Sequence, residues 1–182
     1  MSLKVKRRTP LLAPKWLCVI VLASAMFPAA AAKVSFKTFC SDFVGQWQGN
    51  AAKVGESPKW VTVTGGCSVD QRQLILSVSV GTKAPYSETW WFRAQGEQVH
   101  LTYFDGVSAD KQQMFSLYRK NGDYSLLGEG EINARQALIQ LLFEAKAPNA
   151  WLWTQNMQYL DDDIDRYQLF RGIEMTPVTP SH

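Results

Sequence analysis

The sequence predicts an all-β protein: a single antiparallel up-and-down barrel of about 8–10 strands behind a short N-terminal helix or turn. Three observations lead there. Apolar residues recur with period two along most of the chain. Turn residues separate the alternating runs at regular intervals. The composition does not change midway, and roughly 150 residues suffice for one well-buried core.

The strands follow in order. Residues 43–51 (FVGQWQGNA) and 59–64 (KWVTVT) read as the first two. Residues 72–80 (RQLILSVSV) place Leu74, Leu76, Val78 and Val80 on one face and Ser77 and Ser79 on the other. Residues 86–93 (YSETWWFR) are aromatic on both faces, and 98–104 (QVHLTYF) alternate Val99, Leu101 and Tyr103 against His100 and Thr102. The runs 112–119, 124–128, 137–144, 150–159 and 165–171 continue the pattern. Segment 34–42 (VSFKTFCSD) has helical character, and 132–140 (INARQALIQ) suits a helix as well as a strand. Punctuation falls at Ser57-Pro58, Gly65-Gly66, Gly81, Gly96, Asp105-Gly106, Asn121-Gly122, Pro148-Asn149 and Asp161 to Asp163. Asn121-Gly122 is a two-residue hairpin signal, since both residues tolerate positive φ. So long a meander must close into a barrel or split into a sandwich, because free edges template aggregation. Connections this short favour up-and-down closure.

The front of the chain reads as a secretory signal peptide over 1–32. A basic n-region (Lys4, Lys6, Arg7, Arg8, Lys15) precedes the 12-residue apolar run Trp16 to Phe27. That run is too short for a membrane-spanning helix, which needs about 20 residues. Ala30 and Ala32 then form an A-x-A cleavage site with Lys33 as the new N-terminus. The alternative is a short anchor that stays attached. Removing those five basic residues from the 19 Lys and Arg leaves 14 against 16 Asp and Glu, a net of −2. A mildly acidic mature chain argues against a nucleic-acid backbone binder. The domain is expected over 33–174, with 175–182 as a disordered tail. Export makes Cys40 and Cys67 most simply one disulfide; two unpaired buried thiols are the alternative. The two flank the hairpin 43–64 at one end, so a bridge there is geometrically sound.

Phe43-Val44-Gly45-Gln46-Trp47-Gln48-Gly49 is the most specific local motif. On its Gly45-x-Trp47 the chain resembles the bacterial lipocalin-like barrels of the calycin group. Trp151-x-Trp153-Thr154, an acidic turn, Tyr167 and Arg171 resemble the final hairpin of their small uncharacterised and nitrobindin-like families. Asp163-Ile164-Asp165 stands where those families place Gly-Gly. The resemblance spans roughly residues 40–172. It implies a barrel that plugs its closed base with Trp47 and either holds a small hydrophobic molecule or is filled by side chains.

On that implication the candidate ligand-binding residues are Trp90, Phe92, Leu101, Tyr103, Met114, Tyr118, Trp153 and Met157, each sharing a face with other large apolar residues. The same set also reads as plain core, and the inward faces of 86–93 and 112–119 stay open. Glu88 alternates with Tyr86, Trp90 and Phe92. If it points inward it needs a partner, for which Arg93, Arg119 and Arg166 are candidates; such a pair would orient a polar head group or serve structure. Nitrobindin-like barrels bind haem through a His on a late strand. His100 lies on a middle one beside Gln98 and Thr102, so no cofactor is expected. Asp161, Asp162, Asp163 and Asp165 read as a solvated turn, and no metal ligand set is expected. No nucleophile–base motif appears.

The leading function is therefore a periplasmic or secreted non-catalytic protein that binds a small apolar or amphipathic molecule. The first alternative is an envelope module that binds a protein or glycan through exposed aromatics such as Trp91 and Phe104. The second is a lipocalin-like isomerase or hydrolase.

Overall fold

The computed structural model describes residues 31–81 and 86–178. The leader expected over 1–32 lies outside these residues apart from Ala31 and Ala32, as does the end of the tail, 179–182. The elements are β1 (Ala32–Lys33), α1 (Phe36–Asp42), β2 (Gly45–Lys53), β3 (Lys59–Cys67), β4 (Gln73–Val80), β5 (Tyr86–Gln95), β6 (Gln98–Phe104), β7 (Lys111–Lys120), β8 (Asp123–Ile132), β9 (Arg135–Ala147), β10 (Ala150–Tyr159) and β11 (Gln168–Pro177). Strands β2 to β11 pair antiparallel with their sequence neighbours, and β11 pairs back on β2, closing a ten-stranded up-and-down barrel. The two-residue β1 adds to β7 beside Tyr118 and Arg119.

All ten expected strands form, and α1 occupies the expected helical segment. Two places differ in detail. The ambiguous stretch around 132–140 is strand: Asn133 and Ala134, with φ of 52° and 59°, make a tight turn into β9. Ala137, Ile139, Leu141 and Phe143 then alternate into the core, a burial that period-two geometry alone satisfies. The last strand starts at Gln168 and runs past 174 to Pro177, burying Ile173 and Met175.

On β2, β3 and β4 the inward positions are apolar and most outward ones polar. Leu74, Leu76, Val61, Val63, Phe92 and Phe143 face in, while Gln46, Gln48, Asn50, Thr62 and Thr64 face out. A membrane-spanning barrel shows the reverse pattern. No helix among the described residues is long and apolar enough to cross a membrane.

The two ends are unlike. One carries the connections 68–72, 96–97, 121–122 and 148–149, and α1 plugs it. Ser35 caps α1 by accepting from the Lys37 amide. The i, i+3, i+4, i+7 positions Phe36, Phe39, Cys40 and Phe43 are buried. Phe39 is wholly enclosed, with ring centroids 5.6 Å from Phe92, 5.3 Å from Tyr124 and 5.4 Å from Phe143. Trp47 closes the base beside Phe43 and donates its indole N–H to the Asn149 carbonyl at 2.7 Å. β3 approaches the plug so closely that a Cβ on Gly65 would lie 1.9 Å from the Phe43 carbonyl oxygen. The Cys40–Cys67 disulfide, with Cα atoms 5.4 Å apart, ties the plug to β3. The other end carries 54–58, 105–110, 160–167 and the short turn 133–134, and the cavity lies there.

Candidate functional site

The open half of the barrel contains a cavity of about 220 Å3. Its apolar wall includes Trp90, Leu101, Leu141, Ile132 and Phe170; Lys53, Asp105, Lys111 and Glu131 bring charge to it; and Tyr103, Gln155 and Arg171 supply its polar groups.

Two cross-strand pairs build the polar cluster. Trp90 stands opposite Tyr103 on β5 and β6, and Gln155 stands opposite Arg171 on β10 and β11. The Arg171 guanidinium joins them. Its Nε donates to Gln155 Oε1 at 2.8 Å, and its Nη1 donates to Glu88 Oε2 and to the Tyr103 hydroxyl, both at 3.2 Å. Glu88 Oε2 also accepts from the Trp90 indole at 3.3 Å. The guanidinium carbon lies 5.2, 4.9 and 5.5 Å from the ring centroids of Trp90, Tyr103 and Trp153. Three aromatic faces thus hold the cation, a favourable placement for a partly desolvated guanidinium. Burial pushes the Tyr103 phenol above its ordinary pKa, against the opposing pull of Arg171.

A β-bulge aims these groups. Gln155 pairs with Arg171 and Asn156 with Leu169, so Phe170 is an extra residue on β11. Consecutive residues of a regular strand face opposite ways. The bulge breaks that rule, and both Phe170 and Arg171 line the cavity. A second irregularity shapes the side wall. The β7–β8 pairing stops at Phe115–Gly128, although both strands continue toward the open end. Gln113 lies against Gly130 across this seam, its amide nitrogen 2.3 Å from where a Cβ on Gly130 would be, and it lines the cavity.

Of the eight candidate residues, Trp90, Leu101 and Tyr103 line the cavity. Phe92 and Trp153 face inward but are wholly enclosed in the core, and Met157 packs half-buried against it. Met114 and Tyr118 correct the expectation, because they stand on the outer surface. The register decides this. Val99 faces Phe115 and Leu101 faces Gln113, and directly opposed residues share a face, so Gln113, Phe115 and Leu117 point inward.

Glu88 turns toward the interior as its alternation suggested, but none of the expected arginines meets it. Arg93 lies on the outer face, 4.2 Å over the Trp91 ring, where its Nη2 contacts His100 Nδ1. Arg119 is 3.6 Å from Asp42, and Arg166 is exposed. Arg171 is the partner; the sequence signal for it was its place in the final-hairpin resemblance. At the plugged end, Tyr124 donates to Asp42 at 2.6 Å, and burial followed by this hydrogen bond drives its pKa well above the ordinary tyrosine value. The described residues hold no group of three or more His, Cys, Asp or Glu placed to bind a metal. Neither a protein-family model nor a curated protein matches the sequence.

Proposed function

We propose that the protein is a non-catalytic binding protein that holds a small amphipathic molecule in the open half of its barrel, in the periplasm or outside the cell. The observation that carries this reading is the part-buried polar cluster of Arg171, Gln155, Tyr103 and Glu88 at an open cavity whose wall also presents Trp90, Leu101, Leu141 and Phe170. Burying amide and guanidinium groups costs several kcal/mol unless they are satisfied, and closing this barrel does not require them. The closed ten-stranded barrel, its Trp47 base and the signal-like leader support kinship with the small bacterial lipocalin-like families. The disulfide supports export, since such bonds persist in oxidising compartments.

The test is native mass spectrometry of the full-length gene product purified from its own host. The expected result is one small molecule per barrel, released on denaturation. An empty barrel whose tryptophan fluorescence responds to no small hydrophobic probe would sink the reading.

A second reading has its own observation. Ile75 stands opposite Trp91 on the outer face, with exposed Phe104 diagonal to them. This short apolar row suits a partner-binding surface. A Trp91→Glu variant that keeps small-molecule binding but loses a co-purifying partner would favour it.

A further inference from the structure

We infer that the cavity selects a compact carboxylate, an aromatic or short aliphatic acid, whose carboxylate docks on Arg171 and Gln155. The inference rests on the binding reading above and names its ligand class. It begins with the donors left over. Arginine can only donate, so the oxygen of the Gln155 amide must face Arg171 Nε, and its NH2 group is turned away. Gln155 is 6% exposed and lines the cavity, and among the described residues its Nε2 meets no acceptor. Arg171 commits Nε to Gln155 and Nη1 to Glu88 and Tyr103; its Nη2 likewise has no acceptor among them. Glu88 Oε2 accepts from Trp90 and from Arg171 Nη1. Two donors from facing strands therefore remain for a ligand, and a planar two-oxygen acceptor is the complementary group. Both donors reach the cavity solvent, so a ligand carboxylate would take the place of water at each of them.

Size narrows the class. The cavity measures about 220 Å3. It falls below the 300–1,000 Å3 typical of sites for drug-sized ligands. A compact acid fills it, whereas a tetrapyrrole or a long acyl chain would have to extend out through its open end. The aromatic faces of Trp90 and Tyr103 suit a flat ring beside the carboxylate.

The experiment is calorimetric titration of the folded protein with benzoate, hexanoate, benzamide, benzylamine and palmitate. Benzoate and hexanoate are expected to bind at one per barrel, more tightly than the other three. Arg171→Met and Gln155→Glu are expected to weaken benzoate binding roughly ten- to a hundredfold, the loss of a charge-assisted hydrogen bond. Near-UV circular dichroism checks that each variant is folded. Should Arg171→Met fail that check, Gln155→Glu, which keeps an oxygen facing Arg171, and the order of the five probes on the native protein carry the test. Benzylamine or benzamide binding as tightly as benzoate overturns the carboxylate assignment and leaves the binding reading standing. Palmitate binding far more tightly than hexanoate overturns the size limit. Failure of every probe, whatever its charge, overturns both this inference and the binding reading.

Discussion

Arg171 Nη1 lies 3.2 Å from Glu88 Oε2, joining strands β11 and β5 across the barrel interior over 83 residues of sequence. Arg171 keeps about a fifth of its side chain exposed and Glu88 about a third, so the pair is part-solvated and moderate in strength.

Removing one member strands the other. Glu88→Ala is expected to lower stability by about 1–3 kcal/mol, because Arg171 then loses its counter-charge in a partly dry site. Adding Arg171→Met to Glu88→Ala is expected to cost less than the two single effects together, since groups in contact are not additive. Urea denaturation of the two single variants and the double variant measures this. Strict additivity would show that the pair does not interact.

The disulfide ties the plug to the barrel wall across a sequence separation of 27 residues. Cys40→Ser or Cys67→Ser is expected to cost about 2–5 kcal/mol. Thermal melts should show the same loss on reduction of the native protein. Small-ligand binding should survive at temperatures where the variant stays folded, because the bond lies at the end opposite the cavity.

Ala134 holds φ at 59° in the β8–β9 turn, a conformation that favours glycine. Ala134→Gly is expected to stabilise the protein by about 0.5–1 kcal/mol, the relief of Cβ crowding less the entropy that glycine loses on folding. A raised urea midpoint with an unchanged slope is the expected readout.

Burial raises the phenol pKa of both Tyr124 and Tyr103, so the folded protein favours their neutral forms. Their contribution to stability is fully present below the unfolded value of about 10 and is lost as pH rises through the higher folded values. The urea midpoint should therefore fall above about pH 10. Tyr124→Phe should flatten that fall while giving up the Asp42 hydrogen bond, worth about 1–2 kcal/mol at neutral pH. An alkaline decline identical in Tyr124→Phe and native protein would exclude Tyr124 as its source.

The strands were legible because alternation such as Leu74, Leu76 and Val78 repeats a periodicity that only a pleated backbone produces. Glu88 was legible for the same reason, sharing parity with Trp90 and Phe92. Its partner was not, because the aim of Arg171 depends on a one-residue bulge at Phe170 that alternation cannot reveal. Met114 and Tyr118 misled for a related reason. The run from Gln112 to Arg119 is apolar on both faces, and only its register against Val99 and Leu101 separates inside from outside. The leftover amide of Gln155 was beyond reach too, since it exists only once Arg171 has claimed the oxygen.

Nine of the barrel's ten seams join strands adjacent in sequence, and the tenth joins β2 to β11, with Gln48 opposite Thr176. Hairpins can form as soon as their own residues are available, but this last seam brings together the two ends of the folded chain. Such long-range closure is entropically slow. Until it forms, β2 and β11 are both open edges, each able to pair with another copy of the chain. Aggregation during folding should therefore rise with protein concentration, and a chain truncated before Gln168, which lacks β11, should leave β2 and β10 open permanently.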